Sequence, residues 1–250
     1  SNLFNLMIIG LLDILWVNRY ILNHVGMSSV VIGILGIVVM GLATVAIFLH
    51  SVIDTFAIWF LSPVTLILLS VFVFAMYSIY RFEKLNKSTE PTDSEERYVK
   101  HSLSIAVVTY LIAAFLVIGS AIWLATIGDQ LTDLLGWDES FMGTQFLAAA
   151  TSLPELATSI VAIRILAPEL AITNLLGSNL FNMGFVLFLN DAAHSSGPIW
   201  EVASQIHILT ATLSILMTAI VVLGVVNRPR GSRPGPITLE SMMLIGFYVI

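Results

Sequence analysis

The sequence predicts an all-α, polytopic membrane protein. Of its 250 residues, 58% are hydrophobic and 10% are charged, and the mean hydropathy is +0.96. Apolar stretches of roughly twenty residues recur along the chain, which is the helix length that crosses the hydrocarbon core of a bilayer. Lipid-facing backbone must satisfy its own hydrogen bonds, and the alternation typical of a transmembrane barrel is not present, so we expect helices.

Eight apolar stretches follow one another, of which the first and the last are partial spans. In chain order they are 2–20, 27–50, 56–80, 103–127, 141–166, 168–190, 202–226 and the segment from 237 to 250. The last segment is short for a full span, and the chain begins with Ser inside a motif. We therefore expect the sequence to be a fragment of a longer chain.

The charged residues are sorted between the two sides of the predicted membrane. With eight alternating spans, all 10 Lys and Arg residues fall on one side. The opposite loops are predicted to hold Asp54, Asp129, Asp133, Asp138, Glu139, Asp191 and Glu201. Because cytoplasmic loops are usually the positively charged ones, the basic side, with the polar linker 83–100, is predicted to be cytoplasmic and the cell membrane is the default location.

The pentapeptide Ser-Asn-Leu-Phe-Asn occurs twice, at 1–5 and at 178–182. Small polar residues are costly in hydrocarbon, so the same pattern in two apolar segments indicates two copies of one half-site. With alternating spans the copies run in opposite directions, and inverted repeats of this kind place a substrate site near the midplane. The linker 83–100 is predicted to separate one membrane unit, 1–82, from a second, 101–250.

The fifth stretch carries oxygen-bearing side chains at helical spacing. Thr151, Glu155 and Ser159 occur at i, i+4 and i+8, with Ser152 beside them, so one continuous helix would place them on one face. Pro154 lacks an N–H, and we expect it to kink this helix and free a backbone carbonyl. A carboxylate, hydroxyls and a released carbonyl are the hard oxygen ligands that suit calcium or sodium ions.

The sixth stretch supplies a second polar stripe. Asn174, Ser178 and Asn182 occur at i, i+4 and i+8, and Gly177 would allow another helix to approach closely. Neutral amide and hydroxyl oxygens would let a bound divalent ion leave again. Taken singly, such residues can also be packing contacts between helices, whereas the mid-span carboxylate of Glu155 indicates a functional role.

At these residues the chain resembles the cation/calcium antiporter superfamily, typified by sodium/calcium exchangers. The repeat of that family combines a Gly-Thr-Ser-Leu-Pro-Glu-Leu helix with a Gly-Ser-Asn-x-Phe-Asn helix, which correspond here to 150–156 and 177–182. Ala150 stands in place of the family's Gly, and Asn182 occupies a position where some relatives carry Asp. The resemblance covers the whole chain and implies the inverted-repeat, ten-helix exchanger fold, of which about eight helices are present, without the first two.

The resemblance also implies the function and the ion ligands. Carried over position by position, the ligands are Ser1, Asn5, the Ala148 carbonyl, Thr151, Ser152, Glu155, Ser178 and Asn182. It implies a secondary active antiporter and not an enzyme, which exchanges calcium for sodium by alternating access. The ions are then substrates, no cofactor is needed, the bilayer is the partner, and a monomer is sufficient. Composition gives no reason to expect nucleic-acid binding or thiolate metal sites.

Several alternatives stay open from the sequence. Glu155 could carry a proton, which would make the protein a proton-coupled cation antiporter. Alternatively, the polar stripes could line a passive cation channel, or they could hold together the helices of a structural membrane subunit. A channel would need a ring of subunits or a carbonyl filter, whereas this chain carries its own paired halves. Asp13 could line an inner exit path, but an interfacial acid near Arg19 is preferred. The His residues show no ligand spacing.

Overall fold

The computed structural model describes residues 1–16, 20–52, 61–87, 103–136, 146–194, 197–227 and 237–249, and the regular structure in these ranges is helical. The elements are α1 (Asn2–Leu15), a 3-10 turn (Ile21–His24), α2 (Met27–Val52), α3 (Pro63–Lys87), α4 (Leu103–Leu135), α5 (Ala148–Thr151), α6 (Leu153–Arg164), α7 (Pro168–Phe181), a π-turn (Asn182–Val186), α8 (Leu187–Ala193), α9 (Ile199–Val202), α10 (Ile206–Asn227) and α11 (Leu239–Val249).

The predicted class, an all-α polytopic membrane protein, is confirmed. Five helical segments in the described ranges are long and apolar enough to cross a membrane: Met27–Val52, Pro63–Asn86, Leu103–Thr132, Pro168–Ala193 and Ile206–Asn227. Two shorter apolar helices, Asn2–Leu15 and Leu239–Val249, coincide with the partial spans predicted at the ends of the chain.

The stretch predicted as one span over 141–166 is not one helix in its described part. The short helix α5 ends at Thr151 and α6 begins at Leu153, with Pro154 in the first turn of α6. Proline is favoured at this position because the first N–H groups of a helix have no intrahelical partner. Pro154 therefore starts a new helix, and Thr151 does not share a helix with Glu155 and Ser159.

The chain divides into two compact units. The first contains Lys84–Thr151 together with Ser1, and the second contains Asn2–Glu83 and Ser152–Ile250. In the first unit, most apolar side chains of α4 are exposed, as expected of a lipid-facing helix, and Leu147 lies against Gly128. The predicted domain limits, at the linker 83–100, stay a prediction.

The core of the second unit brings α1 and α7 together. Helix α2 packs against α10 and α7, and α1 packs against α11, α7, α10 and α6. The buried side chains between them include Leu6, Leu12, Ile172, Leu175 and Met217, each without solvent exposure. Because α1 and α7 carry the two copies of the pentapeptide, this packing decides where their polar side chains meet.

Close helix approach depends on glycines other than the predicted one. A Cβ at Gly177 would meet no heavy atom within 4 Å in the described part of the chain, so the expectation of a close approach there is wrong. By contrast, a Cβ at Gly33 of α2 would lie 2.6 Å from Val222 of α10, and one at Gly184 would lie 2.7 Å from the Cβ of Phe72. Small residues at helix contacts are typical of membrane bundles.

Candidate ion-binding site

The two copies of the pentapeptide hydrogen-bond to each other inside the second unit. Asn5 Nδ2 donates to Asn179 Oδ1 at 2.9 Å and lies 3.5 Å from Ser178 Oγ. Asn182 Nδ2 donates to Asn2 Oδ1 at 3.2 Å, and Asn179 Nδ2 donates to the backbone carbonyl of Asn2 at 3.2 Å. The four Asn residues and Ser178 thus form one polar cluster between α1 and α7, which we call the amide cluster.

The order of these contacts is antiparallel. Position 5 of the first copy contacts position 2 of the second, and position 2 of the first copy contacts position 5 of the second. A two-fold rotation that exchanges the two copies would therefore also exchange these two contacts. This is the arrangement expected when one repeat is inserted in the opposite sense to the other.

Glu155 is joined to the amide cluster through Ser178. The Ser178 hydroxyl donates to Glu155 Oε1 at 2.9 Å, and both side chains are half-buried. Glu155 lies in the first turn of α6, where the positive end of the helix dipole stabilises a carboxylate. Helices α6 and α7 pack together, so the carboxylate, the hydroxyl and the Asn5 amide form one chain of polar contacts.

Within the described part of the chain, several buried side-chain oxygens on α1 and at α6 have no hydrogen-bond partner. The side chain of Asn5 is 1% exposed, and no described residue donates a hydrogen bond to its Oδ1. Ser152 Oγ, at the start of α6, and Ser159 Oγ, one turn beyond Glu155, are also buried without a partner among the residues that the structure describes. Buried polar atoms are nearly always paired, so an unpaired acceptor such as Asn5 Oδ1 is chemically suited to a cation.

Cation binding here would depend mainly on neutral oxygens. Among the residues that the structure describes, no group of three or more His, Cys, Asp or Glu side chains could hold a metal ion. The available donors are one carboxylate, Glu155, with amide and hydroxyl oxygens. Oxygen-only sets of this kind suit hard cations and do not suit soft transition metals.

Three predicted ligands belong to the first unit. The side chain of Thr151 is exposed, and its hydroxyl donates to the Leu147 carbonyl at 2.7 Å and to the Ala148 carbonyl at 3.3 Å. A hydroxyl that bonds back to its own helix is a common alternative to a ligand role. Ser1 belongs to the same unit, and the ligand roles of Ser1, Ala148 and Thr151 stay predictions.

Asn174 lies outside the amide cluster. Its side chain is exposed, and its Nδ2 donates to Thr158 Oγ1 at 3.1 Å, which links α7 to α6. Asn2 and Asn179, in contrast, belong to the cluster and were not among the predicted site residues. The signal was available in the sequence, because the pentapeptide duplicates its second residue as faithfully as its first and fifth.

Two acidic residues have roles that differ from those predicted. Asp13, expected at an interface or an exit path, is 2% exposed; it accepts hydrogen bonds from the Ile21 N–H at 2.9 Å and the Ser241 hydroxyl at 2.8 Å. It thereby connects α1 to the 3-10 turn and to α11. Arg19, near which an interfacial Asp13 was expected, lies outside the described residues.

Asp191 is not a loop residue as predicted, but a fully buried residue of α8. Its Oδ1 accepts the Ile199 N–H at 2.7 Å. Its Oδ2 accepts the Thr65 hydroxyl at 2.6 Å and the Ser62 N–H at 3.3 Å. His50 Nε2 lies 3.0 Å from Ser62 Oγ, which extends the network to α2. Asp191 therefore ties α8, α9 and α3 together.

Of the other acids assigned to these loops, Asp54, Asp138 and Glu139 lie outside the described residues.

Comparison with known proteins agrees with the sequence resemblance. The family model described as sodium/calcium exchanger protein matches residues 105–250. Sodium/potassium/calcium exchanger 1 of Gallus gallus is 30% identical over 118 residues, which cover 43% of this chain and 18% of that protein. Sodium/potassium/calcium exchanger 4 of Mus musculus is 29% identical over 132 residues, or 51% of this chain and 19% of that protein.

A bacterial relative shows the same pattern of partial coverage. Inner membrane protein YrbG of Escherichia coli (strain K12) is 34% identical over 87 residues, which cover 35% of this chain and 25% of that protein. The chain thus spans a quarter or less of each of these curated relatives. No solved structure matches. Because the family model covers more than half of the sequence, and the second pentapeptide and the Pro-Glu motif lie within the matched residues, the chain belongs to the sodium/calcium exchanger protein family.

Proposed function

We propose that this protein is a secondary active antiporter that exchanges calcium for sodium by alternating access. The family supports cation/calcium antiport, and it is a family of transporters, not of enzymes. The observation that carries the proposal is the antiparallel pairing of the two pentapeptides and their link to Glu155 through Ser178. The transported ions would be substrates, with no resident cofactor.

The donor set supports exchange on chemical grounds. Calcium and sodium ions both bind carboxylate, amide and hydroxyl oxygens, so they would compete for Glu155, Ser178, Asn5 and Asn182. Ser152 is a further candidate, because its buried hydroxyl has no hydrogen-bond partner in the described part of the chain. A site with many neutral oxygens binds a divalent ion weakly enough for release. Competition for one site then couples the two ion flows.

The pairing of inverted elements supports alternating access. Helices α1 and α7 contact each other through equivalent residues of the two inverted repeats. A rocking of one repeat against the other would therefore open the site to either side of the membrane. If exchange moves net charge, the membrane potential would contribute about 2.3 kcal/mol per charge per 100 mV. The distribution of basic residues supports a cytoplasmic linker and a location in the cell membrane.

The test uses the complete protein in liposomes, with calcium uptake measured against imposed sodium, proton or potassium gradients. We expect a sodium gradient to drive uptake and Glu155→Gln to abolish it, because the amide lacks the charge that offsets a divalent ion. Glu201→Gln is the matched control, since Glu201 is an exposed acid on α9. Normal transport by Glu155→Gln would overturn the site. Uptake driven only by protons would identify a proton-coupled antiporter, and uptake indifferent to every gradient would identify a channel.

A further inference from the structure

The amide of Asn179 is oriented by the backbone of the other pentapeptide. The Asn179 side chain is 2% exposed, and its Nδ2 lies 3.2 Å from the carbonyl oxygen of Asn2. A backbone carbonyl can only accept, so the Asn179 nitrogen must face it. The Asn179 oxygen is then directed the other way, toward the Asn5 amide nitrogen at 2.9 Å.

This orientation fixes the Asn5 amide in turn. Asn5 Nδ2 donates to Asn179 Oδ1 and faces Ser178 Oγ, whose own hydrogen is directed to Glu155. Asn5 Oδ1 is left buried and, among the residues that the structure describes, without a hydrogen-bond partner. If the Asn5 amide were reversed, it would present an NH₂ group, which cannot coordinate a cation. Asn179 therefore decides which end of the Asn5 amide is available as a ligand.

The inverted copy repeats this relation. Asn2 Oδ1 accepts from Asn182 Nδ2 at 3.2 Å, which is the two-fold counterpart of the contact between Asn179 and Asn5. In each copy, the second residue of the pentapeptide accepts from the amide nitrogen of the fifth residue in the other copy. A general packing role for these amides would not require this reciprocal donor and acceptor order.

We propose that Asn179 and Asn2 are positioning residues, which hold the amides of Asn5 and Asn182 so that their oxygens face the transported cation. This inference rests on the proposed function, and it adds to the predicted ligands two residues that act through them. Partners that orient metal ligands by hydrogen bonding typically contribute about ten- to hundredfold to metal affinity.

The first measurement is calcium affinity of the complete purified protein, by calorimetric titration. Asn179→Leu keeps the size of the side chain and removes both polar groups, and we expect it to raise the Kd for calcium about ten- to hundredfold. Asn174→Leu is the matched control on the same helix, because Asn174 is exposed and bonded to Thr158. We expect it to change the Kd by no more than about twofold. Equal effects of the two substitutions would overturn the proposal.

A double-mutant cycle then separates positioning from packing. If Asn179 acts through Asn5, adding Asn179→Leu to Asn5→Ala should change the Kd by no more than about twofold, because the group being oriented is already gone. Additive effects would overturn the proposal, since a packing role would lower thermal stability and leave the cycle additive. If Asn179→Leu does not fold, the same cycle is run with Asn2→Ala and Asn182→Ala, and additivity there is equally decisive.

The two experiments together distinguish failure of the positioning role from failure of the proposed function. Loss of gradient-driven uptake in Glu155→Gln together with an additive Asn5 and Asn179 cycle would overturn the positioning role and leave antiport standing. Normal uptake in Glu155→Gln would overturn the proposed site itself. A non-additive Asn5 and Asn179 cycle, together with loss of uptake in Glu155→Gln, supports both the positioning role and the proposed function.

Discussion

The buried carboxylate of Asp191 provides a test of the packing outside the candidate site. The substitution Asp191→Asn keeps the size of the side chain and replaces one of its two acceptor oxygens with an NH₂ group. In the native protein, one oxygen accepts the Ile199 N–H at 2.7 Å, and the other accepts the Ser62 N–H at 3.3 Å and the Thr65 hydroxyl at 2.6 Å.

The magnitude follows from counting the donors that lose an acceptor. The Thr65 hydroxyl can rotate, but the two backbone N–H groups cannot, and they face different oxygens of Asp191. Whichever way the new amide turns, its NH₂ group faces one of these N–H donors. A buried donor left without an acceptor costs about 1–3 kcal/mol, so Asp191→Asn should lower the free energy of unfolding by that amount. Asp191→Ala removes every acceptor and should cost at least about 3 kcal/mol.

The assay is thermal unfolding of the purified complete protein, followed by intrinsic fluorescence. For a chain of this size, about 1–3 kcal/mol corresponds to a fall in Tm of roughly 2–12 °C. Glu201→Gln, an exposed carboxylate on the neighbouring α9, is the control and should leave Tm unchanged. Equal Tm values for Asp191→Asn and Glu201→Gln would refute the reasoning, because the Asp191 hydrogen bonds would then contribute nothing.

Two further substitutions test packing in the second unit. Gly184→Ala places a Cβ 2.7 Å from the Cβ of the buried Phe72, so it should destabilise the protein by about 1–3 kcal/mol. Gly36→Ala meets nothing within 4 Å and is the control, measured as Tm in the same assay. Ser241→Ala removes one of the hydrogen bonds to the buried Asp13 carboxylate, and a fall of about 1–3 kcal/mol is expected in denaturant titrations. An unchanged midpoint would contradict that assignment.

Hydropathy predicted the long spans well because burial in lipid acts on every residue of a helix. The spans predicted at 27–50 and 168–190 correspond to helical segments Met27–Val52 and Pro168–Ala193, and in the second case Pro168 marks the start. The stretch predicted as one helix over 141–166 is interrupted next to Pro154, where a kink was expected, for a local reason. Proline fits the first turn of a helix as readily as it kinks an interior, and composition alone does not choose between the two.

The polar residues were harder to place because their partners are distant in sequence. Asp191 was expected in a loop, yet its oxygens accept hydrogen bonds from Thr65 of α3 and from the Ile199 N–H at the start of α9. Gly177 was expected at a close helix approach, but Gly33 and Gly184 take that role. Asn2 and Asn179 show the opposite case, since the repeat already marks them, but the sequence does not indicate which side chain orients which.

The π-turn that begins at Asn182 of the amide cluster sets the rotation of α8. The Leu187 N–H bonds to the Asn182 carbonyl five residues earlier, so this turn contains one residue more than an α-helical turn. One residue corresponds to about 100° around a helix axis. The extra residue rotates α8 relative to α7. Within one continuous apolar segment, Asn182 therefore faces α1 and Asp191 faces α3. Shortening the turn by one residue would swing the Asp191 carboxylate away from Thr65 while leaving Asn182 in register.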